Sequence, residues 1–166
     1  MIELSGHLPA IRASAVFELV AVYSYSQTNA EAFAARNGID AFFDRPETTA
    51  RRLDDLLQRP DIEAVTIALP IGVQPSIVRR ALRAGKSVLS EKPIANDVET
   101  AETLLAWYNS SVIGPNIWSV GESFRFWEPV IFAYQQLRDL KSNVLTFNLK
   151  VHNLVRHDDK ILKSTW

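Results

Sequence analysis

Apolar runs of strand length alternate along this chain with segments that carry helix signals, and this alternation limits the possible folds more than any other feature. Phe17 to Tyr23 is an apolar run, after which Ser26 can cap a helix and Gly38 can end it. Two further runs, Ala64 to Leu69 and residues 86–90, each precede a segment of helical character. Strands that alternate with helices in this way predict a doubly wound α/β domain, with a parallel sheet covered by helices on both faces.

The helices and strands that follow continue the same pattern. Asn96 and Glu99 have the three-residue spacing of a capping box, which predicts a helix with Ala101, Leu104, Leu105 and Tyr108 on one face. A fourth strand is predicted from Ile117 to Gly121, and a further helix at about Val130 to Leu140.

The sequence changes character in its last part. From Leu145 to Val151, apolar residues alternate with the polar residues Thr146, Asn148 and Lys150, a period of two that is typical of a strand with one exposed face. We therefore expect a Rossmann-like domain over residues 1–140 and the first strand of a second α/β domain over residues 141–166. Because an unpaired apolar strand is a pairing site, the strand at residues 144–155 predicts a homodimer.

Composition excludes several classes of partner. The 166 residues carry a formal net charge of -1 and are 47% hydrophobic, so the chain can bury a core but has no field of one sign that would attract nucleic acid or an anionic membrane. No cysteine is present, and no spacing of ligands predicts a metal site. The N-terminus lacks the pattern of a secretory signal. We expect a cytoplasmic protein that acts on a small molecule.

Ligands of open parallel sheets bind beyond the carboxyl ends of the strands, which directs attention to the residues that follow each run. Glu91, Lys92 and Pro93 follow the third run and offer an acid, a base and a rigid turn. A partly desolvated lysine there can transfer a proton, although a solvated pair of Lys92 with Glu91 is the common alternative. His7 is a further candidate base if the first helix lies beside this corner, although a surface or capping histidine is the commoner case.

Four segments together resemble one enzyme family. They are "HLPAIRAS", "AVTIALPIGVQPSIVRRALRAGK", "GKSVLSEKPIA" and "SVGESFRFWEP". The chain resembles the glucose-fructose oxidoreductase and inositol dehydrogenase (Gfo/Idh/MocA-type) family, in particular its fungal oxidoreductase branch. The resemblance implies hydride transfer between NAD or NADP and a sugar, a cyclitol or a similar alcohol.

The resemblance also implies roles for individual residues. Lys92 would contact the nicotinamide ribose and the substrate, and Glu91 and Pro93 would form the nicotinamide end of the site. Ser24, Tyr25 and Ser26 would form the adenosine end. The backbone-facing side of the cofactor would be formed by Leu69, Pro70 and Ile71. Arg125 would lie near the junction of the cofactor and the second domain.

Three departures from the family lead to different expectations. One is that the later segment of the family, which carries the acid and the histidine of proton transfer, would lie beyond Trp166, so we expect most of the C-terminal domain to be lacking. The opening strand and Gly-x-Gly-x-x-Gly turn of the family would precede "HLPAIRAS", so we expect a chain truncated at the first strand, without a pyrophosphate cradle. Another strand, from Met1 to Leu4 or from residues 144–155, would then have to fill the place of the first strand. Tyr25 occupies the position at which NADP-preferring relatives carry an arginine.

Three functions are therefore open. The first is an NAD(P)-dependent oxidoreductase. In this truncated form it either still binds NAD or NADP or binds no cofactor. The second is a repurposed redox-neutral enzyme, such as an isomerase, cyclase or hydrolase, that uses the same cleft. The third is a non-catalytic dimeric binding protein.

Overall fold

The computed structural model of the chain describes residues 4–44, 50–112 and 114–140, with positions 146, 148 and 150. The chain forms two compact units, Met1–Glu122 and Ser123–Trp166. The predicted domain boundary at residue 140 stays a prediction, because most residues beyond it lie outside the described part. The predicted dimer strand at residues 144–155 lies outside it as well, apart from the three single positions.

The first unit alternates helices and strands. In chain order its elements are α1 (Leu4–Ala13), β1 (Ala21–Tyr23), α2 (Gln27–Asn37), β2 (Asp40–Phe42), α3 (Leu53–Gln58), β3 (Ala64–Ile67), α4 (Gln74–Arg83), β4 (Ser87–Ser90), α5 (Val98–Ser111) and β5 (Trp118–Val120). Strands β1 and β2 form one parallel sheet, and β3, β4 and β5 form another in that order. The prediction of a Rossmann-like parallel fold with helices on both sides is confirmed, but among the described residues no ladder joins β1 to β3.

Local signals explain where the helices begin and end. The Ser26 side chain accepts a hydrogen bond from Asn29 N (3.3 Å), and Gly38 ends α2 with φ +67°, as predicted. Helix α4 has Pro75 in its first turn, where a missing N–H costs nothing. It buries its apolar face with Ile77, Val78, Ala81 and Leu82.

Two hydrophobic clusters cover opposite faces of the β1–β2 sheet. Ala21 and Tyr23 pack on a cluster that includes residues of α3 and α4, whereas Val22 packs on a cluster that contains Ala30 and Ala34 of α2. Alternate residues of a strand point to opposite faces, so α2 covers one face and α3 and α4 cover the other. Both clusters contain residues from more than one element, and the core therefore holds the helices against the strands.

Several predicted boundaries are wrong. The first strand begins at Ala21 instead of Phe17, whose side chain is 61% exposed. Asp97, not Asn96, caps α5, and the face of that helix buries Leu104 fully while Leu105 stays 43% exposed. Two adjacent residues of cap type cannot be distinguished by spacing alone, because either can accept the first amide hydrogen bonds.

The cap of α5 makes stability depend on pH. Asp97 accepts hydrogen bonds from Thr100 N (2.7 Å) and Thr100 Oγ1 (3.0 Å), which hold the pKa of its carboxyl below the usual value. Its contribution is present above the ordinary carboxyl pKa and is lost as the pH falls through the lowered one. We expect Asp97→Ala to lower the thermal midpoint at neutral pH. The thermal midpoint of this variant should also fall less between neutral and acidic pH than that of the unaltered chain. Equal acid profiles of the variant and the unaltered chain would contradict this role.

The second unit is described over residues 123–140. It contains a 3-10 turn, Ser123–Phe126, and α6, Glu128–Asp139, which begins two residues before the predicted Val130 because Pro129 fits its first turn. In the part of the chain that the structure describes, no helix has both the length and the apolar character that crossing a membrane requires.

Candidate functional site

Glu91, Lys92 and Pro93 form a corner at the carboxyl end of β4, the middle strand of its sheet. Glu91 N donates to Ile67 O (2.9 Å) and Gly121 N donates to Ser90 O (2.8 Å), so the flanking strands fix the backbone on both sides. The peptide bond between Lys92 and Pro93 is cis. The corner is therefore held at the sheet edge where ligands of parallel sheets bind.

Gln74 ties this corner to helix α4. Its side chain is buried, with 1% exposure, and Nε2 donates to Glu91 O (2.7 Å) and Pro93 O (2.9 Å). Sequence reasoning stopped at Ile71 and missed this residue. A polar amide on the buried face of an amphipathic helix was the available signal, because most buried polar groups are hydrogen-bonded. Here Nε2 is hydrogen-bonded, whereas Oε1 has no partner among the described residues.

The Glu91 carboxylate is held from two sides. His7 Nε2 lies 2.8 Å from Glu91 Oε1, and Lys92 N donates to Glu91 Oε2 (3.3 Å). His7 therefore lies beside the corner. This position was the condition on which the sequence analysis made His7 a candidate base. Gly121 was missed by sequence reasoning, although a Cβ there would lie 3.3 Å from Glu91 Oε1 and would crowd the carboxylate.

The Lys92 side chain is exposed. Its ammonium group makes no hydrogen bond or ion pair with any residue in the described part of the chain, whereas the neighbouring carboxylate is bound to His7. The expected Lys92–Glu91 side-chain pair therefore does not form here. The ammonium group is available to a ligand that reaches the strand end.

The residues predicted at the adenosine end follow β1 directly. Ser24 Oγ accepts from Ser26 N (3.2 Å), and Ser26 Oγ is occupied with the cap of α2. Tyr25 is half exposed, and its ring stands edge-on to that of Tyr23 at 5.6 Å between centroids. An exposed ring at this position can stack on a planar ligand.

Tyr23 lies behind this loop and was not singled out in the sequence. Its hydroxyl donates to Asp44 Oδ2 (2.7 Å). Burial, and then the hydrogen bond to Asp44, raises the pKa of the Tyr23 phenol well above its usual range. Tyr23 therefore stays a hydrogen-bond donor at neutral pH and is unsuited to proton transfer.

One cavity of about 650 Å³ in the first unit brings several predicted residues together. His7, Ser24, Tyr25, Ser26, Leu69 and Pro70 all line it. Ile71, Glu91, Lys92 and Pro93 are not among the lining residues, although Glu91 is hydrogen-bonded to His7, which is. Arg125 belongs to the second unit, where its guanidinium lies 5.6 Å from the Phe126 ring centroid, and its role at the cofactor stays a prediction.

A dinucleotide needs a site for its pyrophosphate as well as for its two ends. A pyrophosphate is normally bound by a glycine-rich turn at a helix N-terminus. Helix α1 begins at Leu4, and Gly6 lies inside it with no atom within 4 Å of a Cβ built there, so Gly6 forms no tight cradle. Among the described residues no glycine-rich turn stands at a helix N-terminus, and the adenosine and nicotinamide roles of the residues that follow β1 and β4 stay predictions.

Parallel strands that alternate with helices, with polar groups gathered at the strand ends, define a dinucleotide-binding Rossmann-type domain. The chain belongs to the oxidoreductase family with an NAD-binding Rossmann fold (Gfo/Idh/MocA), whose match covers residues 3–111. The family predicted from the sequence is thereby confirmed.

Curated relatives support the same assignment. The chain is 46% identical to "Dehydrogenase FPY6" of Fusarium mangiferae over 162 residues, 96% of this chain and 46% of that protein. It is 38% identical to "dTDP-3,4-didehydro-2,6-dideoxy-alpha-D-glucose 3-reductase" of Streptomyces violaceoruber over 141 residues, 84% of this chain and 36% of the relative. The chain thus spans less than half the length of these two proteins.

Solved structures of the family share the fold. KijD10, a 3-ketoreductase from Actinomadura kijaniata solved with NADP and TDP-benzene, superposes with a TM-score of 0.63 at 30% identity, over 80% of this chain and 38% of KijD10. The scyllo-inositol dehydrogenase of Lactobacillus casei superposes with a TM-score of 0.68 at 28% identity, over 81% of this chain and 38% of that structure.

Proposed function

We propose that this chain is the cofactor-binding part of an NAD(P)-dependent oxidoreductase that acts on a carbonyl or hydroxyl group of a sugar-like metabolite. The observation that carries the proposal is the corner formed by Glu91, Lys92 and Pro93 at the end of β4, with an exposed ammonium group beside a fixed carboxylate. The substrate class follows from relatives whose names denote sugar 3-reductases and inositol dehydrogenases.

In this proposal each residue of the corner has one task. When bound, the cofactor supplies or accepts the hydride. Lys92 hydrogen-bonds the reacting oxygen of the substrate and exchanges the proton there, because an ammonium group can act as a general acid. His7 fixes the Glu91 carboxylate, and Gln74 fixes the backbone that carries it. Tyr25 stacks on the adenine.

A titration with NADH and NADPH, followed by nucleotide fluorescence and by the thermal midpoint, tests this proposal. We expect saturable binding of at least one cofactor. Tyr25→Ala should weaken it by about fivefold to 150-fold, because stacking of a base on an aromatic ring contributes about 1–3 kcal/mol. Tyr134→Ala, which removes an exposed tyrosine from α6 in the second unit, is the matched control. A folded chain that binds neither cofactor up to millimolar concentration would refute the proposal.

A redox-neutral enzyme is the second candidate, and one observation favours it. His7 and Glu91 form a hydrogen-bonded pair of titratable side chains beside the cavity, an arrangement that can move protons without a cofactor. Turnover of a sugar or cyclitol with no added nucleotide, lost in His7→Phe, would favour this function. The same titration separates the two candidates, because only the oxidoreductase depends on the nucleotide.

A further inference from the structure

Helix α4 and the turn after it carry four cations, and the fold itself uses two of them. Arg80 Nη2 donates to Asp54 Oδ1 of α3 (2.7 Å). Lys86, only 8% exposed, donates through Nζ to a backbone carbonyl that follows α3 (2.7 Å). The other two cations, Arg79 and Arg83, are four residues apart and therefore lie one turn apart on the same side of α4.

Both of these guanidinium groups lie over the ring of Trp107 in α5. The distance from Cζ to the ring centroid is 5.1 Å for Arg79 and 5.3 Å for Arg83. An aromatic ring attracts a guanidinium group within about 6 Å of its centroid, so Trp107 holds both side chains in place. We call these three residues the arginine–tryptophan stack.

The described residues supply no counter-charge to the arginine–tryptophan stack. Arg79 makes one long hydrogen bond, from Nη2 to Thr103 O (3.5 Å), and no described carboxylate forms an ion pair with Arg79 or Arg83. Helix α4 contains no acidic residue. The two glutamates of α5, Glu99 and Glu102, are exposed and unpaired with either arginine. Two like charges are thus held close together, with most of their N–H donors unused.

The spacing of the two arginines determines which ligand fits the stack. Residues four apart in a helix are separated by about 6 Å along its axis, and two glutamates four apart on another helix have the same separation. Each planar guanidinium group can bind one carboxylate through two parallel N–H···O bonds. Because Trp107 already holds the arginine side chains, they lose less conformational freedom when a ligand binds.

We propose that the arginine–tryptophan stack is a docking site for an acidic helix of a partner protein. Two carboxylates of that helix, at positions i and i+4, each accept hydrogen bonds from one guanidinium group, while Trp107 keeps the two groups in position. Recognition of acidic segments by clustered arginines is a general mode of protein association. No nucleotide takes part, so this docking is independent of the proposed reaction.

A titration of the whole chain with an alanine-rich helical peptide that carries glutamates at positions i and i+4 tests the proposal. We expect saturable binding, a shift of the Trp107 indole N–H resonance, and weaker binding as the salt concentration rises, because exposed charges are screened. A control peptide with glutamine at both positions should bind about five- to thirtyfold more weakly, because it forms neither ion pair. A second control, with the glutamates two residues apart on different faces of the helix, should bind about two- to fivefold more weakly, because it forms only one.

Variants of the chain test where the peptide binds. The double variant Arg79→Gln and Arg83→Gln removes both charges and should weaken binding of the glutamate peptide by about five- to thirtyfold. Lysine at both positions keeps the charges but loses the planar fork, so it should lose only part of the affinity. Arg138→Gln is the matched control and should leave the affinity unchanged, because Arg138 also lies over an aromatic ring, 5.9 Å from the Tyr134 centroid, but belongs to α6 in the second unit.

Four results would overturn the proposal. The first is that the glutamate peptide shows no saturable binding, and the second is that the glutamine peptide binds equally well. Equal affinity for inorganic phosphate, or for both glutamate spacings, would show a general anion site. Self-association of the chain without peptide, abolished in the double glutamine variant, would identify a second copy as the occupant. The peptide comparison does not depend on the folding of any variant, and none of these readouts requires a cofactor, so this proposal and the proposed function can fail separately.

Discussion

Replacement of Lys92 by alanine is expected to lower turnover by about 10²- to 10⁴-fold, the range that a positioned general acid contributes. The Lys92 ammonium group has no partner among the described residues, and its side chain is exposed. Removing it should therefore leave the thermal midpoint nearly unchanged, since exposed substitutions away from caps and networks usually alter stability by less than about 0.5 kcal/mol. Activity and stability should thus separate in this variant.

The measurement is steady-state turnover on a panel of nucleotide-linked keto sugars and cyclitols, with NADH and NADPH supplied for reduction and NAD and NADP for oxidation. Lys92→Arg is the informative second variant, because it keeps the charge but places a bulkier planar group at the corner. We expect it to retain cofactor binding and to lose most of the turnover. Unchanged turnover in Lys92→Ala would remove Lys92 from the mechanism, and no turnover by the unaltered chain would contradict the proposed reaction itself.

Local signals in the sequence were sufficient to predict those helix ends and buried helix faces that are determined by residues a few positions apart in the chain. Ser26 and Gly38 bound α2 as predicted, and the spacing of Ile77, Val78, Ala81 and Leu82 identifies the buried face of α4. These features depend on contacts over a few residues, which periodicity and capping rules describe directly. The alternation of such units was enough to predict the fold class.

Long-range contacts of the corner could not be predicted in the same way. His7 and Glu91 are 84 residues apart, and Gln74 meets the Glu91 and Pro93 carbonyls 17 and 19 residues away. No local pattern specifies which buried polar group meets which carbonyl. The resemblance to the family directed attention to Glu91 and Lys92 but did not identify the side chains that hold them in place.

The shortness of β1 has a related cause. The sequence shows an apolar run from Phe17, but only Ala21–Tyr23 is a strand in the structure. A strand is recognised by its pairing, and β1 pairs on one side only, with β2. The residues before Ala21 line the cavity instead. Strand β2 begins only at Asp40, opposite Ala21, so it offers no partner to the residues before Val20, and this limit of the ladder cannot be seen in the local pattern.

Gln74→Glu is expected to cause the largest loss of stability of any single substitution proposed for this chain. The change is nearly isosteric, but it replaces the donor that serves Glu91 O and Pro93 O by an oxygen and places a carboxylate in a site with 1% exposure. A buried charge left without a partner costs about 3–5 kcal/mol. Gln74→Leu, which removes the donor without adding a charge, should cost less, about 1–3 kcal/mol for the carbonyls it leaves unpaired.

The pH dependence distinguishes the two variants. Burial raises the pKa of a carboxyl group in the folded state, so the penalty in Gln74→Glu is absent below the ordinary glutamate pKa of about 4.3 and grows as the pH rises above it. Denaturant unfolding at several pH values should therefore show Gln74→Glu recovering stability in acid relative to Gln74→Leu. Gln58→Glu, at an exposed position of α3, is the matched control and should change stability by less than about 0.5 kcal/mol. If Gln74→Glu were as stable as this control at neutral pH, the corner would not depend on the amide of Gln74, and the rigidity attributed to the Glu91 backbone would have to come from the strand ladders alone.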